Sequence, residues 1–148
     1  MSQENVELHR RAHEAANVGD IDAFMTYCDP SIEVHTLFAA MGGVYHGHDG
    51  VRKFFRDFED AWEEGVRVEP EAYFDLGEHT LACYAMHGRG RHSGADVAMP
   101  VAQLVRWRDG FAVSWKSYAD KDDALRELGV SKDELEPIVP LADLGLEE

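Results

Sequence analysis

At 148 residues the chain is long enough for one domain that buries roughly two thirds of the surface its unfolded form would expose, so it needs no staples to fold. Its formal charge of −15, from 29 acidic against 14 basic residues, disfavours nucleic-acid phosphates as partners. No apolar run approaches the ~18 residues of a membrane span, and no basic stretch followed by an apolar one opens the chain, so the expectation is a cytoplasmic protein without a membrane partner.

Residues 3–18 read as a helix, with Ser2 as N-cap and Val6, Leu8, Ala12, Ala15 and Ala16 on its apolar side; Gly19 ends it. Asp20 caps a second, shorter helix to about residue 27, which Asp29-Pro30 stops because proline disfavours helical geometry in the residue before it. Residues 31–36 alternate as a short strand, and 37–43 form a loop near the mouth of any pocket. Tyr45-His46-Gly47-His48 then leads into a third helix over 48–63. Its apolar positions Val51, Phe54, Phe55, Phe58 and Trp62 make one stripe.

After this the period changes. Residues 66–76, 80–92, 96–108 and 111–119 read as four strands, joined by Gly77-Glu78-His79, Ser93-Gly94 and the hairpin signal Arg108-Asp109-Gly110. Strands of this length bend across a sheet, and Gly88 and Gly90 permit such a bend. Residues 121–128 form a short helix stopped by Gly129, 131–136 a second one opened by Ser131 and Glu134, and the remainder an acidic tail. Helices followed by an antiparallel sheet define an α+β domain over 1–120, with short helices and the tail over 121–148.

Several residue sets bear on chemistry. Cys28 and Cys83 lack metal-ligand spacing and read as buried thiols. His9 and His13 are one helical turn apart and His46 and His48 flank Gly47, spacings that metals use, yet neither pair has a strong third-ligand motif, so no metal is expected. His87, Arg89 and Arg91 alternate along one strand and share a face. Their apolar neighbours leave open whether that face is concave, where it would hold an anionic or carbonyl ligand, or convex, where it would be surface. Arg106 and Arg108 join Arg89 and Arg91 in the sheet region, either as a local positive site or as a solvated face. There is no nucleophile elbow, phosphate-cradling glycine loop or dinucleotide fingerprint, and no cofactor is expected.

Three stretches, Gly19-Asp20-Ile21-Asp22-Ala23, Tyr45-His46-Gly47 and the strand from Met99 to Trp107 before Asp109-Gly110, resemble the SnoaL-like and ketosteroid isomerase-like branch of the nuclear transport factor 2-like superfamily. The resemblance covers about residues 3–120. It implies a cone-shaped fold in which three N-terminal helices pack on a strongly curved mixed, mostly antiparallel sheet. It also implies an apolar small molecule in the open end and a homodimer formed through the sheet face. The family hosts isomerases, cyclases, dehydratases and proteins that only bind, so the fold alone names no reaction.

Steroid isomerisation needs a carboxylate base and an oxyanion hole made from a tyrosine and a protonated aspartic acid. Matched from Gly19-Asp20, the base position holds Thr36, beside His35, the acid position holds Gln103, and the tyrosine position holds His13 or Ala12. Threonine does not abstract a proton from carbon at working pH, so that reaction is not expected; glutamine still donates a hydrogen bond to an oxygen. His13 reads either as a replacement base or as a semi-buried helix residue bonded to backbone. The family pattern further turns Val101, Trp115 and Ser117 inward and sets Phe38 at the mouth; Phe55, Phe58 and Trp62, mainly core by spacing, join the expected ligand contacts, as do His87 and Arg89 if their face is the concave one. The resulting expectation is a pocket for an apolar molecule carrying a carbonyl or acid group, with cofactor-free proton transfer (isomerisation, cyclisation or dehydration) assisted by His13, Gln103, Thr36 and His35. The alternative is a binding or protein-interaction module without catalysis.

Overall fold

The computed structural model describes residues 3–36, 43–63 and 66–130. In chain order the elements are α1 (Gln3–Asn17), α2 (Ile21–Met25), β1 (Cys28–His35), β2 (Val44–His46), α3 (Gly47–Ala61), β3 (Arg67–Leu76), β4 (His79–Arg89), β5 (Asp96–Arg108), β6 (Phe111–Tyr118) and α4 (Lys121–Leu128). The six strands form one mixed sheet in the order β2-β1-β6-β5-β4-β3, in which only β1 and β6 run parallel.

The expected grouping of three N-terminal helices needs correction. The described residues hold four helices, and β1 and β2 separate α2 from α3. Tyr45-His46, read as the entry to a helix, instead pairs with Val34 and Glu33 of β1. The second helix ends at Met25, and the strand after it begins at Cys28 and runs through Pro30. A proline in this strand costs no ladder bond because the β1–β6 register shifts between Cys28 and Glu33. Phe38, the expected mouth residue, and the short helix and tail expected over 131–148 lie outside the described residues.

β5 shows how the sheet divides the core. Val101, Val105 and Trp107 pack with the helical face, while the intervening Ala102 and Leu104 pack against Ala124 and Leu125 of α4. Residues 101–105 are therefore buried on both sides, which is why this strand reads as a continuous apolar run rather than an alternation. α4 is capped by the Asp120 carboxylate, which accepts from the Asp123 amide at 3.0 Å, and covers part of the outer sheet face on which pairing with a second copy is expected.

On the inner face, α1 is tied to the edge strand β3. The Asn17 amide accepts from Val68 N at 3.0 Å and donates to Val68 O at 3.1 Å, standing in for a neighbouring strand. The C-terminal end of α3 is tied to the far end of β4. Trp62 bridges Gly90, and the Arg91 guanidinium donates to the carbonyls of Glu59 at 3.1 Å and Trp62 at 2.8 Å, which a helix end otherwise leaves open. Gly88 makes the approach possible, since a Cβ there would lie 2.8 Å from Val66 Cγ2 and 3.2 Å from the Trp62 ring.

The first residue of α3, Gly47, has φ +71° and would place a Cβ 3.1 Å from the Pro30 carbonyl oxygen. Gly47→Ala is expected to lower stability by about 1–2 kcal/mol through left-handed backbone strain. The check is a urea titration, with a lower midpoint at unchanged slope expected; an unaltered midpoint would show that the turn relaxes freely.

Candidate functional site

α3 presents Phe54, Phe55, Phe58 and Trp62 to the inner face of the sheet because positions three and four apart share one side of a helix. Tyr84 and Met86 of β4 and Trp115 of β6 face them. Together they wall a cavity of about 650 Å³, within the size range of small-molecule sites. Asn17, Glu59, Arg67 and Arg91, all exposed, sit on its rim. Its polar floor is His13 and Gln103.

That floor belongs to a buried hydrogen-bond network. His9 and His13, on one face of α1 with ring centroids 4.8 Å apart, both reach Gln103 Oε1 on β5 through their Nε2 atoms, at 2.7 and 2.8 Å. His9 Nδ1 meets Thr80 Oγ1 of β4 at 2.7 Å, and His13 Nδ1 meets the Tyr73 hydroxyl of β3 at 2.8 Å. Trp107 Nε1 donates to Thr80 Oγ1 at 2.8 Å. His9 is 2% exposed and His13 6%. Burial drives the His13 pKa down to about 4, against the opposing effect of its bond to Gln103. His9 falls well below the usual histidine value for the same reason, and the charge of a protonated His13 would lower it further. Both rings are therefore neutral at neutral pH. Among the described residues no group accepts from the Gln103 amide nitrogen or the Tyr84 hydroxyl, which leaves these two donors beside the cavity.

The sequence-derived residues divide clearly. His13, Gln103, Phe55, Phe58, Trp62 and Trp115 meet around the cavity. Ser117 pairs with Gln103 across β5 and β6 and accepts from Trp115 Nε1 at 3.3 Å, beside the lining. Val101 is buried with Val6, Tyr73 and Tyr84 and fills core. Thr36, half-buried just past β1, is not part of the described lining. His35 alternates with the core residue Val34 and so takes the opposite face, where its Nε2 lies 3.3 Å from Glu33. His87 and Arg89 likewise alternate with Met86, which lines the cavity. They face outward, with His87 2.9 Å from Glu69 and Arg89 3.0 Å from Asp96. Arg91 is past the end of β4, so the expected alternation with them stops short and it reaches the rim instead.

His9, Thr80, Tyr73, Tyr84 and Trp107 were not legible as site residues from pattern. The one available signal was the four-residue spacing of His9 and His13. The pair converges on a side-chain amide oxygen, and no group of three or more metal-ligating side chains occurs among the described residues. No helix among the described residues is long and apolar enough to cross a membrane.

The fold recurs in solved structures. A nuclear transport factor 2-like protein from Burkholderia pseudomallei superposes with a TM-score of 0.73 at 21% identity, covering 83% of this chain and 95% of that one. TerC, co-crystallised with polyporic acid, gives 0.71 at 19% identity over 84% and 97%. A candidate polyketide cyclase from Xanthomonas campestris gives 0.67 at 20% identity over 86% and 98%. These identities carry the fold and no further. No curated protein matches the sequence significantly. The SnoaL-like domain model matches residues 9–115, from the first histidine of the network to the cavity tryptophan on β6, and the chain belongs to the SnoaL-like family.

Proposed function

We propose that the cavity binds an apolar, aromatic small molecule carrying a carbonyl group, whose oxygen accepts from the Gln103 amide. The observation that carries this reading is the placement of one oriented amide at the floor of an aromatic-walled cavity. Aromatic rings supply most of the contact area and a single polar group fixes orientation. A fold neighbour crystallised with polyporic acid and another described as a candidate polyketide cyclase are in keeping with such a ligand.

If the ligand turns over without a cofactor, as in isomerisation, cyclisation or dehydration, Gln103 is the group to stabilise an enolate or other developing oxyanion. His13 is poorly placed as the base. One ring nitrogen meets Tyr73 and the other meets Gln103, so no lone pair is left for a substrate proton. This observation favours a second reading, in which the protein holds its ligand without transforming it.

The test uses 2-acetonaphthone and its oxygen-free counterpart 2-ethylnaphthalene, followed by quenching of Trp62 and Trp115 fluorescence. The ketone is expected to bind about 3- to 10-fold more tightly, the worth of one net hydrogen bond. Gln103→Leu should erase the difference. Because that change strips both histidines of their acceptor, Gln103→Glu, which retains an oxygen for them, serves as the second variant. Equal affinities of ketone and hydrocarbon for the unmodified protein would rule out the carbonyl contact.

Acid should dismantle the site. A histidine whose folded pKa lies below its unfolded value near 6.5 makes the unfolded state bind more protons, so stability is complete above that value and declines as pH falls toward the folded pKa. From the His13 value of about 4, this group alone should remove about 2 kcal/mol between pH 6.5 and 5, with His9 acting in the same direction. Urea midpoints across that window measure the effect, and a flat profile would contradict neutral burial of the pair.

A further inference from the structure

A glutamine amide has two nearly isosteric ends, and each neutral imidazole can donate from either nitrogen. The cluster of His9, His13 and Gln103 can therefore be wired in two opposite senses. In one, Gln103 turns its oxygen to the histidines and offers N–H to the cavity. In the other, it turns its nitrogen to them and offers an oxygen. The two senses select opposite ligands.

One member of the network cannot reverse. Trp107 Nε1–H is a donor only, and it lies 2.8 Å from Thr80 Oγ1. Thr80 is wholly buried, and the partner for its own hydroxyl proton is His9 Nδ1 at 2.7 Å. His9 Nδ1 therefore accepts. A neutral imidazole has one N–H, so the proton of His9 is on Nε2 and goes to Gln103 Oε1 at 2.7 Å. With the oxygen turned inward, His13 Nε2 at 2.8 Å must also donate, and its Nδ1 accepts from the Tyr73 hydroxyl at 2.8 Å. Every proton in the network then has an acceptor. In the reversed sense, His9 Nδ1–H and Trp107 Nε1–H would both point at Thr80, leaving its hydroxyl proton without a partner inside the core. An unsatisfied buried donor disfavours that sense by roughly 10- to 100-fold.

We propose that the buried Thr80 hydroxyl, held by Trp107 and donating to His9, forms a one-way relay that sets the direction of the Gln103 amide, so that the cavity offers N–H at its floor and selects ligands with an oxygen acceptor there. Trp107 and Thr80 are positioning residues that act through His9. Two imidazole N–H groups on one amide oxygen also draw charge toward it and strengthen the amide N–H as a donor. The ligand preference rests on the carbonyl-binding reading above. The direction of the relay does not, because it is a property of the empty protein.

The experiment has two readouts on ¹⁵N-labelled protein. Two-bond ¹⁵N–¹H correlation spectra of the histidine rings, recorded without ligand at pH 7.5, should show His9 and His13 both as neutral Nε2–H tautomers. Thr80→Val removes the hydroxyl whose proton fixes His9 Nδ1 as an acceptor while retaining the side-chain volume, and is expected to give a mixture of tautomers at His9. Thr80→Ser preserves the hydroxyl and should match the parent. The second readout is the ratio of affinities for 2-acetonaphthone and 2-ethylnaphthalene, expected to fall at least about twofold in Thr80→Val and to persist in Thr80→Ser.

An Nδ1–H tautomer at either histidine of the unmodified protein would overturn the proposal whatever the ligands do, and this measurement stands even if Thr80→Val fails to fold. A folded Thr80→Val protein with pure Nε2–H at His9 and an unchanged ratio would remove Thr80 from the relay. If both histidines are Nε2–H but ketone and hydrocarbon bind alike, the relay is upheld and the carbonyl-binding reading is the part that fails.

Discussion

The structure depends on a single oxygen atom, Gln103 Oε1, that receives two buried imidazoles from the same helix. A helix laid on a sheet usually needs only an apolar stripe. α1 supplies that stripe modestly, through Val6, Ala12 and Ala15, and its larger inward side chains are the two histidines. Burying neutral polar rings is costly unless every lone pair and proton is matched, so the register of α1 against β3, β4 and β5 is specified by hydrogen-bond geometry as well as by volume. The opposite face of the same helix has none of this specificity. There Glu7, Arg10, Arg11 and Glu14 form ion pairs at the solvent boundary, of small energetic weight.

The arrangement reconciles an acidic chain with a cavity free of ionised side chains on its floor. Acidic residues gather on the outer helix faces and at the rim, where water screens them, while the interior polar groups are amides, hydroxyls and neutral rings. Such a floor presents directed hydrogen-bonding groups and no charge. Its wall is aromatic for a related reason: Phe54 meets Trp115 edge to face at 5.1 Å, and such contacts hold rings in place without polar atoms.

Much of this fold could be read from sequence because its strongest signals are local. The stripe from Val51 to Trp62, the Arg108-Asp109-Gly110 turn and the Gly129 stop of α4 each depend on neighbours within a few positions. β2 escaped because three residues are too few to show a period, and the early start of β1 because the Asp29-Pro30 helix stop masked a strand that tolerates proline at its register shift. At the site, His13 and Gln103 were reachable through family resemblance. Their supports were not, since the bonds that define them join residues 71, 94, 60 and 90 positions apart. His9 and His13 carried a visible spacing, but spacing alone does not distinguish a pair that awaits a metal from one that shares an amide. The facing of His87 and Arg89 needed only the parity of Met86, which became readable once β4 was seen to present that residue inward.

Position 88 links the backbone to the shape of the chamber. Its missing side chain is the space into which Val66 and the Trp62 ring settle, and both of these line the cavity. Sequence drift at 62, 66 and 88 is therefore coupled: smaller residues at both 62 and 66 would admit a side chain at 88, exchanging one wall shape for another. None of the atoms around Gln103 takes part in that exchange. Descendants of such a scaffold can alter the size and outline of the cavity while inheriting an unchanged polar floor.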